Sequence, residues 1–367
     1  MSYPVKIGII GCGSVMSGPY MSLIERLRGR GQVEVVMACD VVEAKREMVR
    51  ERFGITNFTT SPQQLIASDQ VELVMILTSM LEHGPLARAA LEAGKHALVE
   101  KPMAVNLDEA AQLVELAKKS PGYLVCAPHI ILSPTYQTIW KRLRRGDIGQ
   151  VLSARALYGW AGPWWGRWFY QPGGGSLFDL GVYNVTSLTG LLGPVKRVMA
   201  MTGAAIPERL VEGQMMRVEV EDNAHVLLDF GKSVFAVVTT GFTIQKYRCP
   251  AIELYGSTGT MQMMGDDWDP EGYELWQNEV GAWQIFEEAD PAWPWTDGLR
   301  HLVECIQQQT PPLNTPEHAY HVLEIMLRAQ ESGRDGQAKL IESTFKPPVF
   351  DPELEGEAAH LVHDRSF

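Results

Sequence analysis

Three groupings of residues in this 367-residue sequence have the types and spacing to handle a proton or hold a ligand. The first is Glu100-Lys101-Pro102, directly after a short apolar run, His96 to Val99, that reads as a strand. A side chain placed there stands at the carboxyl edge of a parallel sheet, where doubly wound folds bind ligands. Pro102 fixes the turn. Oxidising an alcohol needs a base for the hydroxyl proton while hydride leaves carbon, and Lys101 is the candidate base. Glu100 reads as a group that orients Lys101 or a ribose. The second grouping is Asp179 and Tyr183, four apart in a predicted helix from Ser176 to Leu192 and so on one face of it. Ser176 reads as the N-cap, with Asp179 three positions on as in a capping box. Asp179 is therefore either a capping carboxylate or a ligand to a reacting hydroxyl, and Tyr183 either a packed ring or a hydrogen-bonding phenol. The third is Gly11-Cys12-Gly13, between a buried strand and a helix, with Asp40 closing the next strand 27 residues after Gly13. In that setting Gly11 permits a tight turn and Gly13 a close approach of backbone to a pyrophosphate. Ser14 and Val15 open the helix whose N–H groups face it. The third glycine of the usual fingerprint is replaced by Met16. A carboxylate at Asp40 accepts hydrogen bonds from ribose hydroxyls and repels a 2′-phosphate. Val41 and Val42, not Arg or Ser, follow it, so NAD is expected over NADP.

The elements that must position these groups alternate. Apolar runs at Val5–Ile10, Gln32–Cys39, Leu73–Thr78, His96–Val99 and Tyr123–Ala127 read as buried strands. Helical patterns lie between them at about 15–28, Glu43–Phe53, Gly84–Ala93 and Leu107–Lys119. This is the signature of a parallel sheet with helices on both faces, an α/β Rossmann domain over residues 1–128. A helix is predicted from Pro134 to Arg145. Strands then follow one another at Val151–Tyr158, Arg217–Phe230, Ser233–Phe242, Ala251–Gly256 and Thr260–Met264, interrupted by Gly173-Gly174-Gly175 and the Ser176 helix. Residues 129–345 thus read as an α+β domain with a large, mostly antiparallel open sheet. Its closing helices, Asp297–Gln309 and Glu317–Ser332, are expected to pack back on the first domain. Residues 346–367 form a Pro-rich, acidic tail.

Taken together, Gly8-Ile9-Ile10-Gly11-Cys12-Gly13, Asp40, Thr78-Ser79 with His83, Ala93-Gly94-Lys95-His96 before Glu100-Lys101-Pro102, Gly146-Asp147-Ile148-Gly149, Gly173-Gly174-Gly175 and Asp179-Leu180-Gly181-Val182-Tyr183 resemble the Gfo/Idh/MocA oxidoreductases. The resemblance spans about residues 4 to 345. It implies NAD(P)-dependent redox chemistry on sugars, inositols or related polyols, with Thr78, Ser79 and His83 added to the cofactor set and Lys101 in proton transfer. It also implies a homodimer or homotetramer formed through the second domain's sheet. In the family a histidine stands four residues after the aspartate, where this chain has Tyr183. Tyrosine holds its proton more tightly than histidine, so it would need a cation beside it to carry one.

Trp160, Trp164, Trp165, Arg167, Trp168, Phe169 and Tyr170 crowd one short stretch. Aromatic faces stack on the apolar faces of sugar rings, so Trp165, Arg167 and Trp168 are candidate substrate contacts; a satellite core or an oligomer contact is the alternative. His129, Asn184 and His301, the last behind Trp293-Pro294-Trp295, are further candidates, His129 as a stand-in for the missing histidine. His318 and His321 have metal-compatible spacing but no evident third ligand, and no metal is expected.

The formal charge of −12 disfavours nucleic acid as a partner. The five cysteines are scattered without a C-x-x-C pair, neither a secretory signal nor a membrane-length apolar run is evident, and a cytoplasmic location is expected. Two further readings compete with a dehydrogenase. One is a redox-neutral enzyme that retains NAD and transiently oxidises a glycoside. The other is a non-catalytic NAD-binding regulator, which would need neither Lys101 nor Asp179.

Overall fold

The computed structural model describes residues 3–288 and 290–355. They divide into two compact units. The first takes in the chain through His129 and returns for Thr296–Tyr320; the second takes in Ile130–Trp295 and resumes at His321.

In the first unit, β1 (Val5–Ile10), β2 (Val33–Cys39), β3 (Phe58–Thr59), β4 (Leu73–Ile76), β5 (His96–Val99) and β6 (Leu124–Cys126) form one sheet in the order β3-β2-β1-β4-β5-β6. Every pairing in it is parallel. Strands covered on both faces must be apolar throughout, and β4 and most of β1 are buried without alternation. The order reverses between β1 and β4, which opens the crevice at their carboxyl ends where such sheets hold nucleotides. The helices between the strands start and stop on local signals. Ser61 accepts the Gln64 N–H and Asn106 the Glu109 N–H, while Gly54 closes Lys45–Phe53 at φ +68°. The helix Gly298–Gln308 belongs to this unit and lies against β1 and β5.

One helix differs from its expected form. Instead of a continuous α-helix from about residue 15, the chain makes a π turn at Met16–Tyr20 and then an α-helix at Met21–Gly29. Pro19 lies inside the turn and has no N–H to donate. Met16, where the fingerprint has glycine, is fully buried. A wider turn accommodates both.

The second unit holds β7 (Val151–Gly159), β8 (Arg197–Gly203), β9 (Glu208–Val211), β10 (Gln214–Arg217), β11 (Asn223–Asp229), β12 (Phe235–Gly241), β13 (Ile252–Gly256), β14 (Gly259–Asp266), β15 (Asp269–Gln277), β16 (Trp283–Glu287) and β17 (Lys339–Leu340). Nine of these form a sheet ordered β16-β15-β14-β13-β7-β12-β11-β8-β17, with β9 and β10 apart as a hairpin. Its pairings are antiparallel except β7 with β12. Helices Pro134–Arg144 and Val182–Leu192 cover one face. The other is open, so β8 and β11 alternate buried and exposed residues.

The strand expected over Arg217–Phe230 is broken at 218–222. Glu221 and Asp222 turn inward there as acceptors. Asp222 receives the Ala205 and Ile206 N–H groups and the Arg209 guanidinium. β15 and β16 lie outside the predicted strands, because Pro270 and Gly272 interrupt the apolar pattern of the former.

Candidate active site

The nucleotide crevice is built from the β1 turn and the end of β2. Gly11 has φ +96°, and a Cβ there would stand 2.5 Å from the Leu77 carbonyl oxygen, so only glycine fits between β1 and β4. A Cβ on Gly13 would meet nothing within 4 Å, which leaves this backbone open to a phosphate. Ser14 is exposed and Val15 half-buried beside it. Asp40 is buried, its carboxylate accepting the Cys12 N–H at 2.8 Å, the Val42 N–H at 2.9 Å and the Lys45 ammonium at 2.7 Å. Burial opposes its ionisation, but those three hydrogen bonds outweigh it and hold its pKa below the ordinary value. Asp40 is thus a fixed anion tied to the glycine turn rather than a helix cap. Lys45 was missed in the sequence because it stands five residues beyond the motif. An open glycine backbone next to a held carboxylate suits a pyrophosphate and a ribose, so the residues present fit NAD.

On the other side of the reversal, β5 delivers Glu100 and Lys101. Glu100 is buried and receives the Tyr20 hydroxyl at 2.8 Å. Lys101 is half-buried and its peptide to Pro102 is cis. His83 sits 2.7 Å from the Pro102 carbonyl through Nδ1 and 3.1 Å from the Thr78 carbonyl through Nε2. Burial pushes its pKa down, and because a neutral imidazole carries a single N–H, such a ring donates one hydrogen bond, best to the closer Pro102 carbonyl, with the Thr78 carbonyl merely beside its other nitrogen. The ring thus lies between the Thr78 and Pro102 loops. Thr78 and Ser79 remain at the crevice surface, half-buried and exposed.

In the second unit Asp179 lies in a π turn, Leu177–Gly181, that precedes the α-helix Val182–Leu192. The expected Ser176 cap is absent. Ser176 is already helical at φ −66° and ψ −29°, and its hydroxyl is buried without a hydrogen-bond partner among the described residues. Glu221 caps this segment instead, its carboxylate accepting the Leu177 N–H at 3.2 Å and its carbonyl the Ser176 N–H at 3.1 Å. A Cβ on Gly175 would collide with that carboxylate at 2.4 Å. The Ser176 and Leu177 N–H groups are thus both taken by Glu221. The Tyr183 ring meets Tyr158 edge-on at 5.8 Å, and burial together with the charges of Tyr183 and Asp179 pushes the Tyr158 phenol upward. Asp179, Tyr158 and Tyr183 thus form one group. Tyr158 was missed because it ends a strand whose partner in space lies on a helix.

Glu221 gives a test of this cap. Burial raises its pKa from the ordinary 4.5 to about 7. The folded chain then keeps a proton that the unfolded chain releases, and stability falls as pH rises from about 4.5 to 7. Glu221→Gln removes this ionisation. Its melting temperature relative to the parent is expected to rise between pH 5 and about pH 7 and then to level off, read by differential scanning fluorimetry. A difference that stays flat or falls with pH would show that Glu221 ionises in the folded chain as it does in solution.

The remaining candidates separate. Phe169 and Tyr170 belong to a satellite core with Leu180, Val211 and Phe242. Trp164, Trp165 and Trp168 are exposed, with Trp168 stacked on Phe169 at 3.7 Å and Trp165 against Trp160 at 5.5 Å. Arg167 reaches Gln214 of the β9–β10 hairpin at 3.3 Å. Asn184, expected as a substrate contact, has its amide nitrogen engaged within the core. It is fully buried and donates to the buried Asp267 at 3.0 Å, with Ser187 beside it at 3.2 Å. His129 is not at a surface either. It is 1 % exposed, and a Cβ on Gly298 would strike its ring at 2.2 Å. Burial lowers its pKa to about 3, which disfavours the charged ring that a proton-carrying histidine passes through. His301 spends its Nε2 on the Leu313 N–H at 2.9 Å, which makes it a brace for the loop after its helix. His321 is bonded to the Val195 N–H and to Ser343, and among the described residues no three His, Cys, Asp or Glu side chains are grouped to hold a metal.

Residues 5–126 match the model described as oxidoreductase family, NAD-binding Rossmann fold, and residues 136–262 match the GFO/IDH/MocA C-terminal domain. The chain belongs to the GFO/IDH/MocA oxidoreductase family. Relatives of this family member include D-glucoside 3-dehydrogenase of Escherichia coli K12, 26% identical with 65% of this chain and 67% of that protein covered. Another is scyllo-inositol 2-dehydrogenase (NADP(+)) of Bacillus subtilis, 24% identical with 92% and 96% covered. Among solved structures, levoglucosan dehydrogenase in complex with NADH and levoglucosan shares the fold at a TM-score of 0.82 and 19% identity, covering 93% of this chain and all of that one (100%). The family member is an NAD-binding oxidoreductase whose homologues are named as dehydrogenases and reductases of sugars and inositols.

Proposed function

We propose that this protein oxidises a secondary hydroxyl of a sugar, glycoside or inositol, reversibly, with NAD preferred over NADP. The observation that carries the reading is the joint presence of Lys101 at the carboxyl end of β5 and of Asp179 grouped with Tyr158 and Tyr183. A nucleotide sensor needs none of these. The names of the relatives, a glucoside and an inositol dehydrogenase, point to the same class of substrate.

NAD, when bound at the Gly11–Asp40 crevice, supplies the hydride acceptor. Lys101 takes the proton of the reacting hydroxyl. The Asp179 carboxylate accepts a hydrogen bond from the substrate, and the Tyr183 phenol fixes a second oxygen. Glu100, anchored by Tyr20, orients Lys101. Trp165 and Trp168 offer faces for the apolar side of a sugar ring. The working form is a homo-oligomer through the open sheet face, where Met199, Leu227 and Val237 stand in register across β8, β11 and β12 as an exposed apolar stripe.

The test is absorbance at 340 nm with NAD and a panel of sugars, inositols and aryl glycosides, with mass spectrometry of the products. NADH formation with loss of two hydrogens from one substrate is the expected result. Aglycone release without NADH would replace this reading by a redox-neutral cycle, and absence of any product across the panel would count against the enzyme reading.

A further inference from the structure

At the end of the second unit's sheet where β7 begins, a small apolar pocket of about 190 Å³ opens beneath the β11–β12 turn. Leu143, Leu191, Leu192, Phe230 and Val234 line it. Three cations, Arg144, Lys196 and Lys232, also line it. None of the three has a carboxylate partner among the described residues. The neighbouring acids are engaged elsewhere: Asp147 with Arg142 at 2.7 Å, and Asp229 with Arg197 at 2.8 Å and with the Gly231 N–H at 2.8 Å. Arg144 lies over the Trp140 ring at 5.1 Å, and its Nε is buried without a hydrogen-bond partner among the described residues.

Cations gathered around an apolar hollow without counter-ions among the described residues are unusual in a chain of formal charge −12. Burying a guanidinium edge without a partner carries a desolvation cost that an arriving anion would relieve. The hollow has the size for one aromatic ring, since a cavity of about 150 Å³ holds benzene. We propose that this pocket binds a small amphipathic monoanion, an aryl or short alkyl carboxylate, with the apolar body among Leu143, Leu191 and Phe230 and the carboxylate toward Arg144, Lys196 and Lys232.

The pocket is separate from the group around Asp179. Leu192 ends the helix that carries Tyr183, nine residues on and so about 13 Å along its axis. β7 likewise begins at the pocket with Val151 and reaches Tyr158 only near its other end. The two sites therefore share a helix and a strand without sharing residues, and the inference stands whether or not the proposed substrate is right.

Isothermal titration of the full chain with 3-phenylpropionate, 3-phenylpropanol and 3-phenylpropylammonium tests it. The carboxylate is expected to bind at least tenfold more tightly than the alcohol, the ammonium not at all, and the carboxylate's affinity to fall with added salt. The exposed pair Lys196→Gln and Lys232→Gln, made together, should bring the carboxylate down to the level of the alcohol. Val234→Trp, which fills the hollow, should abolish binding of both. Equal binding of carboxylate and alcohol to the parent, carboxylate binding unchanged in both variants, or no binding of the carboxylate would overturn the proposal.

Discussion

Lys101→Met is expected to lower kcat by about 10³-fold while NAD binding stays within about threefold of the parent, the loss typical of removing a general base from a proton transfer. The substitution keeps most of the length of the side chain and removes its charge and its proton-accepting nitrogen. The loop around it is held by other groups: Glu100 by the Tyr20 hydroxyl, and Pro102 by His83. The fold and the Gly11–Asp40 crevice should therefore survive, and intrinsic fluorescence titration with NAD would show it. Single-turnover absorbance at 340 nm reads the chemical step. Turnover within about tenfold of the parent would remove Lys101 from the mechanism and leave Asp179 and Tyr183 to account for the proton. Loss of NAD binding together with turnover would instead make Lys101 a cofactor residue.

Asp40→Ser is expected to shift the ratio of kcat/KM for NAD over NADP by about 10²-fold toward NADP, because each hydrogen bond to a charged acceptor contributes ~1.5–3 kcal/mol and ~1.4 kcal/mol is tenfold. The parent carboxylate is held ionised by the Cys12, Val42 and Lys45 donors, and in the proposed function it is the group that accepts from a ribose and repels a 2′-phosphate. Removing it frees the Lys45 ammonium, 2.7 Å from Asp40 in the parent, to pair with that phosphate. The double variant Asp40→Ser with Lys45→Ala should lose the gain for NADP while keeping the loss for NAD. A ratio that Asp40→Ser leaves unchanged would mean that Asp40 serves the glycine turn alone.

Much of the first unit was legible in the sequence because its signals are local. A buried parallel strand must be apolar on both faces, so β1 and β4 are visible as apolar runs, and helix ends at Ser61, Asn106 and Gly54 follow from single side chains or a positive φ. Gly11, Gly13, Asp40 and Lys101 are readable for the same reason: each sits at a fixed distance from the end of one strand. The tertiary structure alone decided whatever depends on a partner far along the chain. Tyr20 anchors Glu100 across 80 residues, Glu221 caps the Asp179 segment from 44 residues away, and Asn184 turns to Asp267 across 83. His129 and Asn184 carry chemistry-bearing side chains, and their types alone do not show that both are buried. Which of two polar residues faces a substrate and which completes the core is settled by packing. A buried polar group must take the nearest donor or acceptor that the fold supplies, wherever in the sequence that group lies.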